Sequence, residues 1–103
     1  MATTLEKVRR LEQYLAAEKS LTDSVLDTTL DKLLARERTR ILELKARLES
    51  QCQTFETTYG QTSANFYDRY QNGELGDEMD YIEWSATIDM LNNLDQKLAL
   101  LES

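Results

Sequence analysis

The sequence predicts an all-α protein built as a long, coiled-coil-like antiparallel helical hairpin, and three observations carry that expectation. Proline is absent from the 103 residues. The 3 glycines, Gly60, Gly73 and Gly76, all fall in one window, so helix-breaking residues are concentrated between two long stretches that lack them. On both sides of that window apolar residues recur every three or four positions, the period of a helix with one buried face. A composition of 41% hydrophobic and 30% charged residues also suits helices better than sheet or disorder. A length of 103 residues is read as a single helical domain whose core is only just large enough to stand alone, which makes a partner plausible on size.

Thr3 and Glu6 have the spacing of a capping box, and Leu5, Val8, Leu11 and Leu15 follow at helical period. A first helix is therefore expected over about residues 4–18, within an N-terminal segment 1–20. Ser, Thr and Asp then dominate residues 20–29, types that cap or fray helices, so a junction is expected near residues 20–23, with a continuous helix as the alternative. Val25, Leu26, Leu30, Leu33, Leu34, Ile41, Leu44, Leu48, Cys52, Phe55 and Tyr59 keep the three-and-four spacing, interrupted at Glu37, and predict one long helix over 22–59. Gly60 is placed to end it in a left-handed conformation.

A short helix over 62–72 follows, with Ser63 as its cap and Phe66, Tyr67 and Tyr70 as its apolar face, stopped by Asn72-Gly73. Gly76 precedes Asp77, the expected cap of a last helix over 77–101, and Asp80 adds negative charge where the helix dipole favours it. The face of that helix reads Met79, Ile82, Trp84, Ile88, Leu91, Leu94, Leu98 and Leu101. Folding back through the glycine window should set Phe55 and Tyr59 beside Trp84 and Ile88. The seams are narrow, so a lone hairpin leaves apolar surface exposed, which implies a homodimer or a hetero-complex.

Several chemistries are unavailable to this chain. It has no histidine and 1 cysteine, which removes the common zinc sites, His-based acid-base catalysis and Ser-His or Cys-His nucleophilic pairs. No cofactor, metal or catalytic residue is assigned, and a non-enzyme is expected. Cys52 lies on the apolar stripe of the long helix and reads as a buried small hydrophobe rather than a reactive thiol, in keeping with a reducing compartment. Asp68, Asn72, Gly73, Leu75 and Gly76 match part of a calcium-binding loop, but Tyr70 and Met79 stand where that loop needs oxygen ligands. A capped turn with solvated carboxylates accounts for the same residues. The longest apolar runs are about four residues, far below the roughly 20 that span a bilayer, and the first residues lack the features of a signal peptide, so a cytoplasmic protein without a membrane association is expected.

Charge is unevenly placed. Residues 1–47 carry ten basic and eight acidic side chains, whereas residues 48–103 carry two basic, Arg69 and Lys97, and eleven acidic. An acidic C-terminal half repels nucleic acid and favours a basic protein surface. Arg36, Arg38, Arg40, Lys45 and Arg47 form a basic stretch, read as a solvated helix face with pairs such as Glu43 to Arg47, or as a phosphate-contacting face in a dimer. Seven of the eight aromatics lie in or beside the glycine window, where Glu74, Asp77, Glu78, Asp80 and Glu83 also gather. Partner contacts are therefore assigned to Glu74, Leu75, Asp77, Glu78, Glu83 and Trp84, with Gly60, Gly73 and Gly76 shaping the turn. Trp84 reads either as core or as an interface anchor.

The runs Thr58-Tyr59-Gly60, Phe66-Tyr67-Asp68-Arg69-Tyr70 and Gly73-Glu74-Leu75-Gly76-Asp77-Glu78-Met79-Asp80-Tyr81-Ile82-Glu83-Trp84 resemble a pattern in short coiled-coil proteins of cyanobacteria and archaea. Those proteins resemble antitoxins of toxin-antitoxin pairs. The resemblance covers about residues 41–100, and residues 1–30 look like an addition to the hairpin. It implies a protein that binds and neutralises a small toxin, with the acidic turn as the contact. It supplies no ribbon-helix-helix or other DNA-binding module. The competing expectation is a structural or scaffolding coiled-coil protein without an inhibitory role.

Overall fold

A computed structural model describes residues 1–18 and 23–102. Among these described residues the protein is all-α, with four helices and no strand: α1 (Thr4–Ala17), α2 (Ser24–Tyr59), α3 (Ser63–Gln71) and α4 (Met79–Glu102). No helix among them is long and apolar enough to cross a membrane. Packing divides the chain into two compact units, Met1–Asp31 and Lys32–Ser103, with the boundary inside α2.

In the first unit local capping defines the helix ends. The Thr3 hydroxyl accepts the Glu6 N–H at 3.1 Å and the Glu6 carboxylate accepts the Thr3 N–H at 3.1 Å, completing the capping box. Glu18, with ψ 72, leaves the helix after α1. Asp23 opens α2, its carboxylate accepting the N–H groups of Val25 and Leu26 at 2.9 and 3.2 Å. Most of the junction expected at 20–23 lies outside the described residues. No residue of α1 is buried, and Leu5, Val8 and Val25 are exposed.

The second unit is the antiparallel hairpin. Arg38 pairs with Glu102, Lys45 with Asp95, Phe55 with Trp84 and Tyr59 with Asp80, so a step forward along α2 is matched by an equal step back along α4. The seam holds Leu48 and Cys52 from α2 and Trp84, Thr87 and Leu94 from α4 as buried residues, with Ile41, Leu44, Leu91, Leu98 and Leu101 half-buried. Leu33 and Leu34, read from the sequence as part of the same stripe, are about half exposed.

Two residues assigned to the inner face of α4 do not lie there. Met79 is 69% and Ile82 45% exposed, and Tyr81 packs against the core in their place. The reason is angular: at about 100° per residue, Ile82 sits about 200° around the helix from Trp84, and no single face holds both. The helix also starts later than the expected residue 77, since the Glu78 carbonyl accepts its first bonds, from Tyr81 and Ile82. Asp77 therefore precedes the cap position rather than occupying it.

Candidate protein-binding site

The turn between α2 and α4 is built over a buried aromatic knot. Gly60, at φ +63, ends α2, and its N–H returns to the Glu56 carbonyl at 2.9 Å. Thr62, not Ser63, caps α3, its hydroxyl accepting the Asn65 N–H at 3.1 Å. Ser63 is the first helical residue and ties three helices together. Its N–H donates to the Glu56 carboxylate at 2.6 Å, and its hydroxyl accepts the Trp84 indole N–H at 2.9 Å. An N–H of the first helical turn has no partner inside its own helix, so Glu56 of α2 supplies one.

Trp84 and Phe66 are both fully buried. Their rings stack at 3.9 Å between centroids and 2° between planes, and Phe55 of α2 stacks on the same indole at 5.5 Å. Tyr70 stacks on Phe66, while Tyr81 tilts against both Phe66 and Tyr59. The juxtaposition of Phe55 and Tyr59 with Trp84 expected from the sequence is present, and Ile88 packs against the same cluster. Of the two readings of Trp84, its burial and satisfied indole N–H place it in the core. Its assignment as a partner contact is corrected accordingly: a ring with no exposed surface offers a partner nothing to touch.

Two tyrosine–aspartate bonds brace the knot. The Tyr59 hydroxyl donates to Asp80 at 2.5 Å, and the Tyr67 hydroxyl donates to Asp89 at 2.6 Å, tying α2 and α3 respectively to α4. Hydrogen bonding to Asp80, with burial second, pushes Tyr59 up to about 12, and Asp89 raises Tyr67 in the same direction. The acceptor is anionic, so losing the phenolic proton would replace a hydrogen bond with repulsion. Burial pushes the Cys52 thiol up despite an opposing hydrogen bond from Ser63, which disfavours the reactive thiolate and agrees with its reading as a core residue.

The acidic residues ride on this platform. Gly73, at φ +74, closes α3 with its N–H on the Tyr70 carbonyl at 3.1 Å, and the Glu74 N–H reaches the Arg69 carbonyl at 3.0 Å. That pair of bonds is a Schellman closure, which fixes the backbone of Glu74. The Glu74 carboxylate lies 3.5 Å from the Arg69 guanidinium. Leu75 is half-buried and packs on the aromatic cluster, so it anchors the turn more than it faces outward. Asp77, Glu78 and Glu83 are exposed. Gly76 has no positive φ, so its backbone makes no demand for glycine, unlike Gly60 and Gly73.

Ser63, Glu56, Asp80 and Asp89 hold the site without having been assigned to it. Asp80 was legible in principle, because once Phe55 faces Trp84, one helical turn further along α2 brings Tyr59 opposite Asp80. Ser63 carried a signal that pointed to the wrong role, since serine beside threonine leaves the cap ambiguous. The segment matching the start of a calcium loop, Asp68–Gln71, is the last turn of α3. Among the described residues no group of carboxylate or thiol side chains is placed to hold a metal ion. In the basic stretch, Arg38, Arg40 and Lys45 pair with Glu102, Glu37 and Asp95, and Asp95 raises the Lys45 pKa through their hydrogen bond. No protein-family model, curated protein or solved structure matches this chain.

Proposed function

We propose that the protein is a non-catalytic, antitoxin-like binding protein that neutralises a small basic toxin by masking it. The observation that carries this reading is an acidic turn, Glu74, Asp77, Glu78 and Glu83, anchored to an aromatic knot through Leu75. A preformed surface spends little of its binding free energy on ordering itself, and clustered carboxylates speed encounter with a basic partner. The resemblance of the Gly-Glu-Leu-Gly-Asp stretch and its downstream Glu-Trp to antitoxin-like proteins supplies the toxin as that partner. Function in this reading is a hetero-complex, with no cofactor and no reaction.

Co-expression with the adjacent open reading frame, scored for growth rescue, tests it. Glu74→Lys with Asp77→Lys should slow association and abolish rescue while leaving helicity and melting nearly unchanged, because exposed charges contribute little to stability. Full rescue by the double reversal would remove the turn from the mechanism. Failure of the unaltered protein to rescue would favour a scaffolding coiled-coil role.

A further inference from the structure

We propose that the flank of the hairpin away from α3 is a docking groove for a basic amphipathic helix supplied by a protein partner. The inference rests on the binding function above and names the element of the partner that would be held. Met79, Ile82, Ala86 and Met90 follow one another along α4 at intervals of three and four, which makes one stripe. It is an outward stripe: Met79 is 69%, Ile82 45% and Met90 48% exposed. Beside it runs an open groove of about 450 Å³ lined by Gln51, Thr54, Phe55, Glu83, Ala86 and Thr87. The Thr87 hydroxyl in that lining already donates to the Glu83 carbonyl at 2.8 Å, so an apolar group docked beside it leaves that hydroxyl no unmet hydrogen bond.

On the other flank of α4, Tyr81 and Asp89 meet Phe66 and Tyr67 of α3, which covers that side as a third helix. From Met79 to Met90 the uncovered stripe extends about 16 Å, roughly three turns, the reach over which a docked helix places anchors at i, i+3 or i+4, and i+7. Methionine side chains are unbranched and polarizable, and they adapt to varied apolar anchors.

Charge complementarity selects the occupant. Glu78 and Glu83 border the stripe and Glu74 and Asp77 stand at its turn end, all exposed. Residues 48–103 carry eleven acidic against two basic side chains, so a second copy docking through the same region would bring acid towards acid. A partner helix with leucine-like residues on one face and lysine or arginine along its edges satisfies both the groove and its rim. The apolar anchors would set the lifetime of the complex, and the rim its rate of formation.

Titration of the full chain with a synthetic amphipathic helical peptide of leucine and lysine tests this, read by backbone amide shifts and by calorimetry. Shifts should concentrate on residues 51–55 and 79–90. Ile82→Ser with Met90→Ser should weaken binding roughly tenfold or more at unchanged melting, and the leucine–glutamate counterpart of the peptide should not bind. Equal affinity for the glutamate peptide, equal affinity of the double variant, or shifts confined to other residues would overturn the proposal. So would a light-scattering dimer that the double variant converts to monomer, because the occupant would then be a second copy. Toxin rescue retained without peptide binding would sink the groove and leave the antitoxin reading standing, whereas peptide binding without any rescue would do the reverse.

Discussion

The two ends of the hairpin are held by different physics. At the closed end Trp84, Phe66 and Cys52 are buried, and side-chain hydrogen bonds from Tyr59, Tyr67 and Trp84 link the three helices. At the open end Leu33 and Leu34 are half exposed, and Arg38 with Glu102 makes a cross-helix link between side chains each about half in water. Buried aromatic contact is worth several kcal/mol per side chain, whereas an exposed ion pair is worth about 0–1 kcal/mol. The closed end therefore carries the stability, and the open end mainly records the register.

Trp84→Ala should test that contrast most severely. It removes the ring on which Phe55 and Phe66 stack, and a loss of about 3–5 kcal/mol in chemical denaturation is expected. A loss below about 1 kcal/mol would mean that the knot is not where stability resides. Ser63→Ala should cost less, about 1–3 kcal/mol, by leaving the buried indole N–H without its acceptor. Restoration of most of that loss by Ser63→Thr, which keeps the hydroxyl, would separate the hydrogen bond from the packing.

Alkaline pH sharpens the same comparison. The folded pKa of Tyr59, about 12, lies above the ordinary value of 10.0, so its contribution is fully present below about pH 10 and is lost as pH rises through about 12. Melting followed over that window should fall more steeply for the unaltered protein than for Tyr59→Phe, and equal slopes would deny the Tyr59–Asp80 bond its role. The smallest effect belongs to the open end: Arg38→Ala should change stability by no more than about 1 kcal/mol, and added salt should mute it further. An Arg38→Ala loss matching that of Trp84→Ala would erase the distinction between the ends.

Much of this arrangement was legible in the chain. Helix positions followed from the three-and-four spacing, Thr3 and Glu6 made their capping box, and the glycine window located the turn. What escaped was angular and lateral. Met79 and Ile82 looked like core because an apolar residue near a helix start carries no mark of which way it points until Trp84 fixes the rotation. Leu75 looked outward because glycines flank it, yet it packs inward on the rings. Ser63 was assigned to cap α3 when Thr62 does so, because neighbouring hydroxyl residues offer the same chemistry at adjacent positions. Among the residues assigned to partner contact, Asp77, Glu78 and Glu83 lie in solvent and Glu74 leans on Arg69, whereas Trp84 does not reach the surface.

The constant pairing along the hairpin also orders the entropy of its assembly. Tyr59 and Asp80 lie 21 residues apart in the chain and Arg38 and Glu102 lie 64 apart, so closing the second contact first costs about 1 kcal/mol more in chain entropy than closing the first. The shorter closure is also the one rewarded by stacked rings. Chain entropy and contact energy thus favour the same end as the point from which the helices zip together, each new pair being brought within reach by the one before it.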